Sequence, residues 1–158
     1  MRIANALIIF VLGIGVMTSP YQVSAKDDKA ITLTAIGSYS AGPGGKRAEI
    51  AAYDPDTKRI FAINLALLRI DVLDISDPAA PALEFTVPLA GAPNSVAIRD
   101  GVVAVAIENV VKTSPGFVQF FTTGGLLLST VTVRALPDMI TFTPNGKYVL
   151  VANEGRTE

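Results

Sequence analysis

A repeat of 44 to 45 residues is the feature that most limits what this chain can fold into. The segment that begins at Tyr53 (YDPDTKRIFAIN) aligns without a gap with the segment that begins at Phe142 (FTPNGKYVLVAN), 89 positions later. A related segment around Ile98 lies 45 positions after Tyr53 and 44 positions before Phe142. The pattern predicts one supersecondary unit that occurs three times.

Each unit begins with a short apolar segment, continues through a tight turn and returns as a second strand. The turns contain Asp, Asn, Pro and Gly, which favour the backbone angles of tight turns. The segments between turns are rich in Val, Ile, Phe and Thr, as β-strands are. The predicted first strands are 50–53, 96–98 and 139–142, and the second strands are 59–64, 102–107 and 147–152. The third strands are 69–75 and 117–121, and the fourth strands are 82–88 and 126–133.

Four strands in each repeat of this length are typical of the blades of a β-propeller. A plain β-sandwich is the alternative, but a sandwich does not predict a 44-residue register with the same turn in each copy. The sequence therefore predicts an all-β fold, a partial propeller of about two and a half antiparallel blades whose ring is not closed. The expected blades are residues 48–92, 93–136 and an incomplete 137–158, which suggests the N-terminal fragment of a longer protein.

Two segments are expected ahead of the blades. Residues 1–25 have the pattern of a cleavable signal peptide: Arg2, an apolar run of 12 residues from Ala6 to Met17, and a small residue at Ala25. The expected cleavage is between Ala25 and Lys26, and the apolar run is too short to span a membrane. Residues 26–47 then hold a leading strand, 31–39, and a Gly-rich connection; in propellers a leading strand commonly completes the last blade.

The composition excludes several classes of site within this sequence. The chain contains no histidine and no cysteine, so it cannot form a Ser-His-Asp or Cys-His pair, a His or Cys zinc site, or a disulfide. Its formal net charge is -1, which leaves no basic excess to neutralise nucleic-acid phosphates. The loop at 42–47 lacks the residues of a phosphate-binding P-loop and is predicted to be a connection.

A polar residue stands at the start of the innermost strand of each predicted blade. These residues are Glu49, Asn94 and Asp138, and in a propeller they would face the mouth of the central channel. They are the candidate ligand-binding residues, with Glu49 and Asp138 as candidate metal ligands, because Ca²⁺ binds six to eight oxygens. The alternative is structural: each side chain caps a strand end or bonds the backbone of the neighbouring blade.

Other acidic and amide residues have simpler interpretations. Asp71 and Asp74 point to opposite faces of one strand, so their spacing alone cannot form a pocket. The Asp54-Pro55-Asp56 segment is predicted to be a turn, because a calcium loop would need a third acid and a glycine where the chain has Lys58 and Arg59. Asn64, Asn153 and Glu154 stand at the ends of second strands, where Asn usually forms turns.

Five ordered segments carry a family resemblance: 48–55, 70–78, 93–97, 136–139 and 151–155. They resemble the bacterial choice-of-anchor I proteins, some of which are similar to mesenchyme-specific cell-surface glycoproteins. The resemblance covers about residues 36–155, and the segment 71–75 is also similar to LVIVD and YVTN propeller repeats. It implies an N-terminal propeller of an exported or surface-attached protein.

Two functions of different classes follow. The first is an exported, periplasmic or cell-surface binding module, which would take a protein, a glycan or a mineral surface and use Ca²⁺. The second is a calcium-dependent exported phosphoesterase, similar to alkaline phosphatase or phytase propellers, which would need a denser set of acids and cations. A dehydrogenase with an organic cofactor is a third class, with no motif to support it. The sequence favours the binding module.

Overall fold

The computed structural model describes residues 22–23, 31–40 and 48–155. This part of the chain is built from β-strands, and its only helical element is a single 3-10 turn at Leu65–Leu67. The strands are β1 (Gln22–Val23), β2 (Ile31–Thr32), β3 (Ala48–Asp54), β4 (Arg59–Asn64), β5 (Arg69–Asp74), β6 (Ala82–Pro88), β7 (Ala92–Arg99), β8 (Val102–Glu108), β9 (Pro115–Thr122), β10 (Leu127–Ala135), β11 (Pro137–Phe142) and β12 (Val149–Asn153).

Three antiparallel sheets follow one another along the chain. The first sheet has the strand order β3-β4-β5-β6, the second β7-β8-β9-β10, and the third contains β11 and β12. The first strands of successive sheets contact each other, β3 with β7 and β7 with β11, so they are the innermost strands. The predicted partial propeller is confirmed: two four-stranded blades and the start of a third, with the ring not closed.

The turns between first and second strands follow from their residues. Asp100 and Gly101 link β7 to β8 with positive φ angles of 48° and 78°. Two successive positive φ angles are typical of a type I′ hairpin, whose twist matches that of the flanking strands. In the first sheet, the Thr57 hydroxyl donates to Asp54 Oδ2 at 2.6 Å, so the Asp54 segment is a turn, as predicted.

The main core lies between the first and second sheets. One face of the first sheet presents Phe61, Ile63, Ile70 and Val72, all at most 1% exposed. The second sheet packs against them with Val96, Val103, Val105 and Ile107. Because side chains alternate along a strand, each strand contributes every second residue to this face. Face-to-face packing of the two sheets therefore holds the first two blades together.

A second core lies between the second and third sheets. Ala104 and Ala106 of β8 are fully buried, and they face larger side chains of the third sheet. Small residues on one sheet leave room for large ones on the other, which keeps the interior closely packed. The third-sheet residues at this interface are Ile140, Phe142, Val149 and Val151.

The segment ahead of the blades differs from the expectation. The strand expected over residues 31–39 is present only at Ile31–Thr32, which pairs with Gln22–Val23. Residues 33–40 form no strand, and Tyr39 among them packs on a face of the first sheet formed by Ile60, Ala62, Leu73 and Ile75. The Ala25–Lys26 bond and the Gly-rich residues 41–47 lie outside the described residues. None of the helices in the described ranges is long and apolar enough to cross a membrane.

Candidate functional site

The three predicted ligand residues occupy the same β-bulge in successive sheets. In β7, Pro93 pairs with Ile107 and Ser95 with Ala106, so Asn94 is an extra residue between them. Pro137 and Met139 pair with consecutive residues of β12 in the same way, and Asp138 is extra. The register of β3 shifts between Ala48 and Ala51, around Glu49. Bulges redirect side chains and are common next to active sites, so the position suits a functional residue.

At the second sheet, the bulge residue links two blades. The Asn94 Nδ2 group donates to the carbonyl oxygen of Pro137 at 3.0 Å. The same group also donates to a second acceptor, Oε2 of Glu108, at 3.3 Å. Pro137 is itself fully buried, and Gly116 makes room for it, since a Cβ there would lie 2.6 Å from Pro137 Cδ. Asn94 therefore has the structural role that the sequence left open as an alternative.

A second link stands beside the first. The backbone N–H of Ile140 donates to Oγ of Ser95 at 3.2 Å, across 45 residues of sequence. Ser95 is only 4% exposed, so this hydrogen bond is shielded from water. Sequence reasoning missed this contact, because a lone serine in an apolar strand carries no signal of the partner that the next repeat supplies.

The two acidic bulge residues behave differently from Asn94. Glu49 and Asp138 are both exposed, and within the described part of the chain neither carboxylate receives a hydrogen bond. An ionised carboxylate accepts hydrogen bonds but cannot donate one to a carbonyl. Glu49 therefore cannot make to Pro93 the link that Asn94 makes to Pro137. The structural role explains the amide at this position but not the two acids.

A complete metal site is not formed by these residues. Among the residues that the structure describes, no three acidic side chains come together in a way that could hold a metal ion. Glu108, the nearest additional acid to Asn94, is engaged by that amide and by the ammonium group of Lys112. Any cation at this end of the sheets would therefore take most of its ligands from elsewhere.

A buried polar cluster lies on the outer face of the first sheet. Asp71 is 4% exposed; its carboxylate accepts from Asn64 Nδ2 at 2.8 Å and from Arg69 Nε at 2.6 Å. Asn64 also accepts from the N–H of Leu67, so its role is structural. Burial raises the pKa of the nearby Tyr39 hydroxyl, and the Asp71 carboxylate raises that pKa further. Asp74, on the opposite face, is exposed, which agrees with the alternation expected from the sequence.

A shallow cleft of about 220 Å³ lies at the other end of the first two sheets, between their hairpin turns. Tyr53 and Asp54 line it from the first turn, and Arg99 and Asp100 from the second. The Arg99 guanidinium lies 3.3 Å from the Asp100 carboxylate, so the cleft contains its own ion pair. The cleft and the three bulge residues are at opposite ends of the innermost strands.

Comparison with known families decides what kind of protein this is. The profile of the Choice-of-anchor I domain matches residues 49–158, which is most of the chain and all three sheets. The chain belongs to the choice-of-anchor I family. The resemblance seen in the five sequence segments is thereby confirmed, and membership implies an exported or cell-surface protein with a surface-associated β-structured module.

A solved structure supports the fold of this choice-of-anchor I domain. The chain is similar to a chain of Kuenenia stuttgartiensis hydrazine synthase, with a TM-score of 0.60 and 17% sequence identity. The match covers 72% of this chain and 32% of that chain, so the choice-of-anchor I domain spans about a third of that protein's length. At this identity the likeness concerns the fold alone. No curated protein matches the sequence.

Proposed function

We propose that this choice-of-anchor I domain is a binding module that takes its ligand at the bulged ends of the innermost strands. One observation carries the proposal: Glu49 and Asp138 stand where Asn94 makes a structural link, yet a carboxylate cannot make that link. Exposed acids at an equivalent bulge in two of three repeats therefore need another explanation. An interaction with a partner outside the described residues supplies one.

Calcium is the ion that we propose to link these acids to the partner. Two carboxylates provide too few oxygens for Ca²⁺, which takes six to eight. We therefore propose that the partner and water complete the coordination, so that calcium assists binding instead of residing permanently in the domain. A partner with oxygen ligands of its own, such as a glycan, an acidic protein surface or a mineral, meets this requirement.

The export of the domain is part of the same proposal. The Arg2 and apolar-run pattern of residues 1–25 supports a cleaved signal peptide, with the mature chain starting at Lys26. We propose that the mature protein is secreted, periplasmic or bound to the cell surface, where millimolar calcium would allow a weak bridging site to be occupied. Mass spectrometry of the N-terminus after export would test the cleavage position, and an intact leader would overturn it.

Calcium-dependent thermal stabilisation tests the binding role. The protein is heated with and without Ca²⁺, and with Mg²⁺ as a comparison, in the presence and absence of acidic polysaccharide. We expect Ca²⁺ with the polysaccharide to raise the unfolding temperature through mass action, and Mg²⁺ to do so much less. Glu49→Gln and Asp138→Asn should each reduce the shift.

A matched control separates the proposed site from general charge effects. Asp56 is an exposed carboxylate at the opposite, hairpin end of the first sheet. Asp56→Asn removes the same charge as Asp138→Asn, and we expect it to leave the calcium-dependent shift unchanged. An equal loss in all three variants would overturn the assignment to the bulge residues.

The phosphoesterase alternative gains no support from the described residues. That mechanism needs several acids around a shared water, and this part of the chain gathers no group of three. Incubation of the full-length protein with a phosphomonoester and Ca²⁺ tests it directly. Hydrolysis that Asp138→Asn abolishes would favour the enzyme over the binding module.

A further inference from the structure

Two loops at the bulged end of the sheets connect the second strand to the third in successive blades. They are residues 65–68 in the first sheet and 109–114 in the second. The last residue of β4, Asn64, pairs with the first residue of β3, and the last residue of β8, Glu108, pairs with the first residue of β7. Both loops therefore lie where the innermost strands begin, at the same end as the bulge residues.

An asparagine holds each loop in shape. Asn64 and Asn109 are 45 positions apart, which is the spacing of the repeat. The side-chain oxygen of Asn64 accepts from the N–H of Leu67 at 3.2 Å. In the second loop, the side-chain oxygen of Asn109 accepts from the N–H of Val111 at 3.0 Å. Each side-chain amide also donates to a residue of the third strand, so the two loops are equivalent and ordered by the same device.

Each loop exposes two adjacent aliphatic side chains. In the first loop Leu67 is 47% and Leu68 44% exposed. In the second loop Val110 is 95% and Val111 57% exposed, so Val110 makes almost no contact with its own chain. Exposed apolar residues are common when they are scattered singly, but a pair on each of two equivalent loops is a pattern that indicates an interaction surface.

The exposure of these pairs does not come from a missing neighbouring sheet. Leu67 and Leu68 stay exposed although the complete second sheet follows them and the 3-10 turn contacts β7. Val110 and Val111 stay exposed although the complete first sheet precedes them. Because the two loops are equivalent, neither a preceding nor a following sheet covers this position.

The backbone of Leu68 is held in an unfavourable conformation. Its φ angle is 48°, in the left-handed region, which is costly for a residue with a Cβ and is more often occupied by Gly or Asn. Leu136 has a similar φ angle of 52°, but it is only 8% exposed, so burial compensates for its strain. Leu68 has no such compensation within the described part of the chain. A strained backbone that presents an exposed leucine suggests a functional contact.

A basic residue follows each aliphatic pair directly. Arg69 forms an ion pair with Asp71, and Lys112 with Glu108, yet their side chains remain 28% and 45% exposed. Apolar side chains with a neighbouring cation are typical of peripheral membrane surfaces, where the cation lies at the level of the lipid phosphates. A rigid protein partner would need a separate pocket for each protruding side chain, whereas acyl chains deform around them. The two loops therefore fit a lipid surface better than a protein.

We propose that the two aliphatic pairs insert into a phospholipid surface, with the two cations beside the lipid phosphates. We call these pairs the apolar tips: Leu67, Leu68, Val110 and Val111. An exported or cell-surface protein, as family membership implies, meets such a surface at the outer face of a membrane. The contact needs no calcium, so it does not rest on the calcium site proposed for the bulge residues.

Sedimentation with lipid vesicles tests the proposal. The mature full-length protein is mixed with vesicles of equal parts phosphatidylcholine and phosphatidylglycerol in the presence of EDTA. We expect the wild type to bind, and Leu68→Asn and Val110→Asn each to bind about tenfold more weakly, the loss that follows removal of one aliphatic side chain from hydrocarbon. Asn adopts the left-handed conformation more readily than Leu, so the unfolding temperature of Leu68→Asn should not fall.

The matched control is Leu126→Asn. Leu126 is 68% exposed, but it lies in the turn after β9, at the opposite, hairpin end of the second sheet. We expect this variant to bind vesicles as the wild type does.

Three results would overturn the proposal: no vesicle binding by the wild type, unchanged binding by both tip variants, or an equal loss in Leu126→Asn. A mass that rises with concentration without vesicles, and returns to that of one chain in Leu68→Asn, would identify a second copy as the occupant and would also overturn it. Because EDTA removes calcium, each of these results is independent of the test of the calcium site.

Discussion

The side chain of Asn94 donates to the carbonyl oxygen of Pro137 at 3.0 Å, and this contact joins the innermost strands of two successive sheets. The two residues are 43 positions apart in the sequence, nearly one full repeat. At this junction, the residue at one bulge holds the residue that precedes the next bulge. The junction of the second and third sheets is therefore stabilised by polar contacts as well as by apolar packing.

Replacement of this amide by a carboxylate should weaken the domain. Asn94→Asp removes the donor to Pro137 and places a negative charge beside Glu108. We expect a loss of about 1–3 kcal/mol in the free energy of unfolding, the usual cost of a buried acceptor without a partner. Urea unfolding measures this loss. The control is Asn109→Asp, because the Asn109 side chain also donates to a carbonyl oxygen, that of Pro115, but at an exposed position. An equal loss of unfolding free energy in both variants would contradict the account.

Removal of the buried Ser95 hydroxyl should lower the free energy of unfolding. Ser95→Ala leaves the N–H of Ile140 without its 3.2 Å partner inside the interface of the second and third sheets. We expect a loss of about 1–2 kcal/mol, and faster hydrogen exchange at Ile140 measured by NMR. Ser129→Ala on the exposed strand β10 is the comparison, and it should change neither quantity. Unchanged exchange at Ile140 in Ser95→Ala would argue against the link.

The Asp71 carboxylate should contribute to the stability of the first sheet. Asp71→Asn keeps one oxygen but removes the charge that faces Arg69, and it turns an amide donor towards Asn64. Because Arg69 is partly exposed, we expect a moderate loss of about 1–3 kcal/mol, or a few degrees per kcal/mol in the unfolding temperature. The control is Asp77→Asn, at an exposed aspartate in the following loop, and calorimetry should show a much smaller fall in its unfolding temperature. A larger fall for Asp77→Asn than for Asp71→Asn would contradict the stabilising role of the buried cluster.

Alkaline pH should weaken the contact of Tyr39 with the first sheet. Burial, with the nearby Asp71 carboxylate, raises the pKa of the Tyr39 hydroxyl above its ordinary value of 10.0, while Arg69 opposes this shift. The folded state therefore favours the protonated tyrosine, so its contribution to stability is present below pH 10 and is lost as the pH rises above that value. Unfolding temperatures from pH 8 to 11 should fall less steeply in Tyr39→Phe than in the wild type. Tyr148→Phe, at an exposed position, is the control; identical slopes in all three proteins would contradict this account.

The repeat explains why much of the fold could be predicted from the sequence. Strands β4 and β6 have the predicted bounds, because turn residues and β-branched runs are local signals. The register of 45 and 44 residues also placed Glu49, Asn94 and Asp138 at equivalent positions, which the structure shows to be one recurring bulge. A bulge itself has no local signature here, so its presence was not predicted.

The contacts between sheets could not be predicted in the same way. Nothing in the residues around Ser95 shows that a backbone N–H of the next repeat will lie beside its hydroxyl. Likewise, the alternation of Asp71 and Asp74 predicted opposite faces but not that Asp71 would be buried with Arg69 and Asn64. Residues 33–40 have strand-like composition, yet they form no strand: Tyr39 packs on a face of the first sheet, and Gly37 lies close to the backbone of the distant Pro78.

The most direct test of the binding role is a calorimetric titration of Ca²⁺ and acidic polysaccharide into the wild type and the double variant Glu49→Gln, Asp138→Asn. Both substitutions keep the size of the side chain and remove only the charge. The account predicts saturable binding of the polysaccharide that requires Ca²⁺ in the wild type and is lost in the double variant, with an unchanged unfolding free energy without calcium. Equal calcium-dependent binding by both proteins would contradict it.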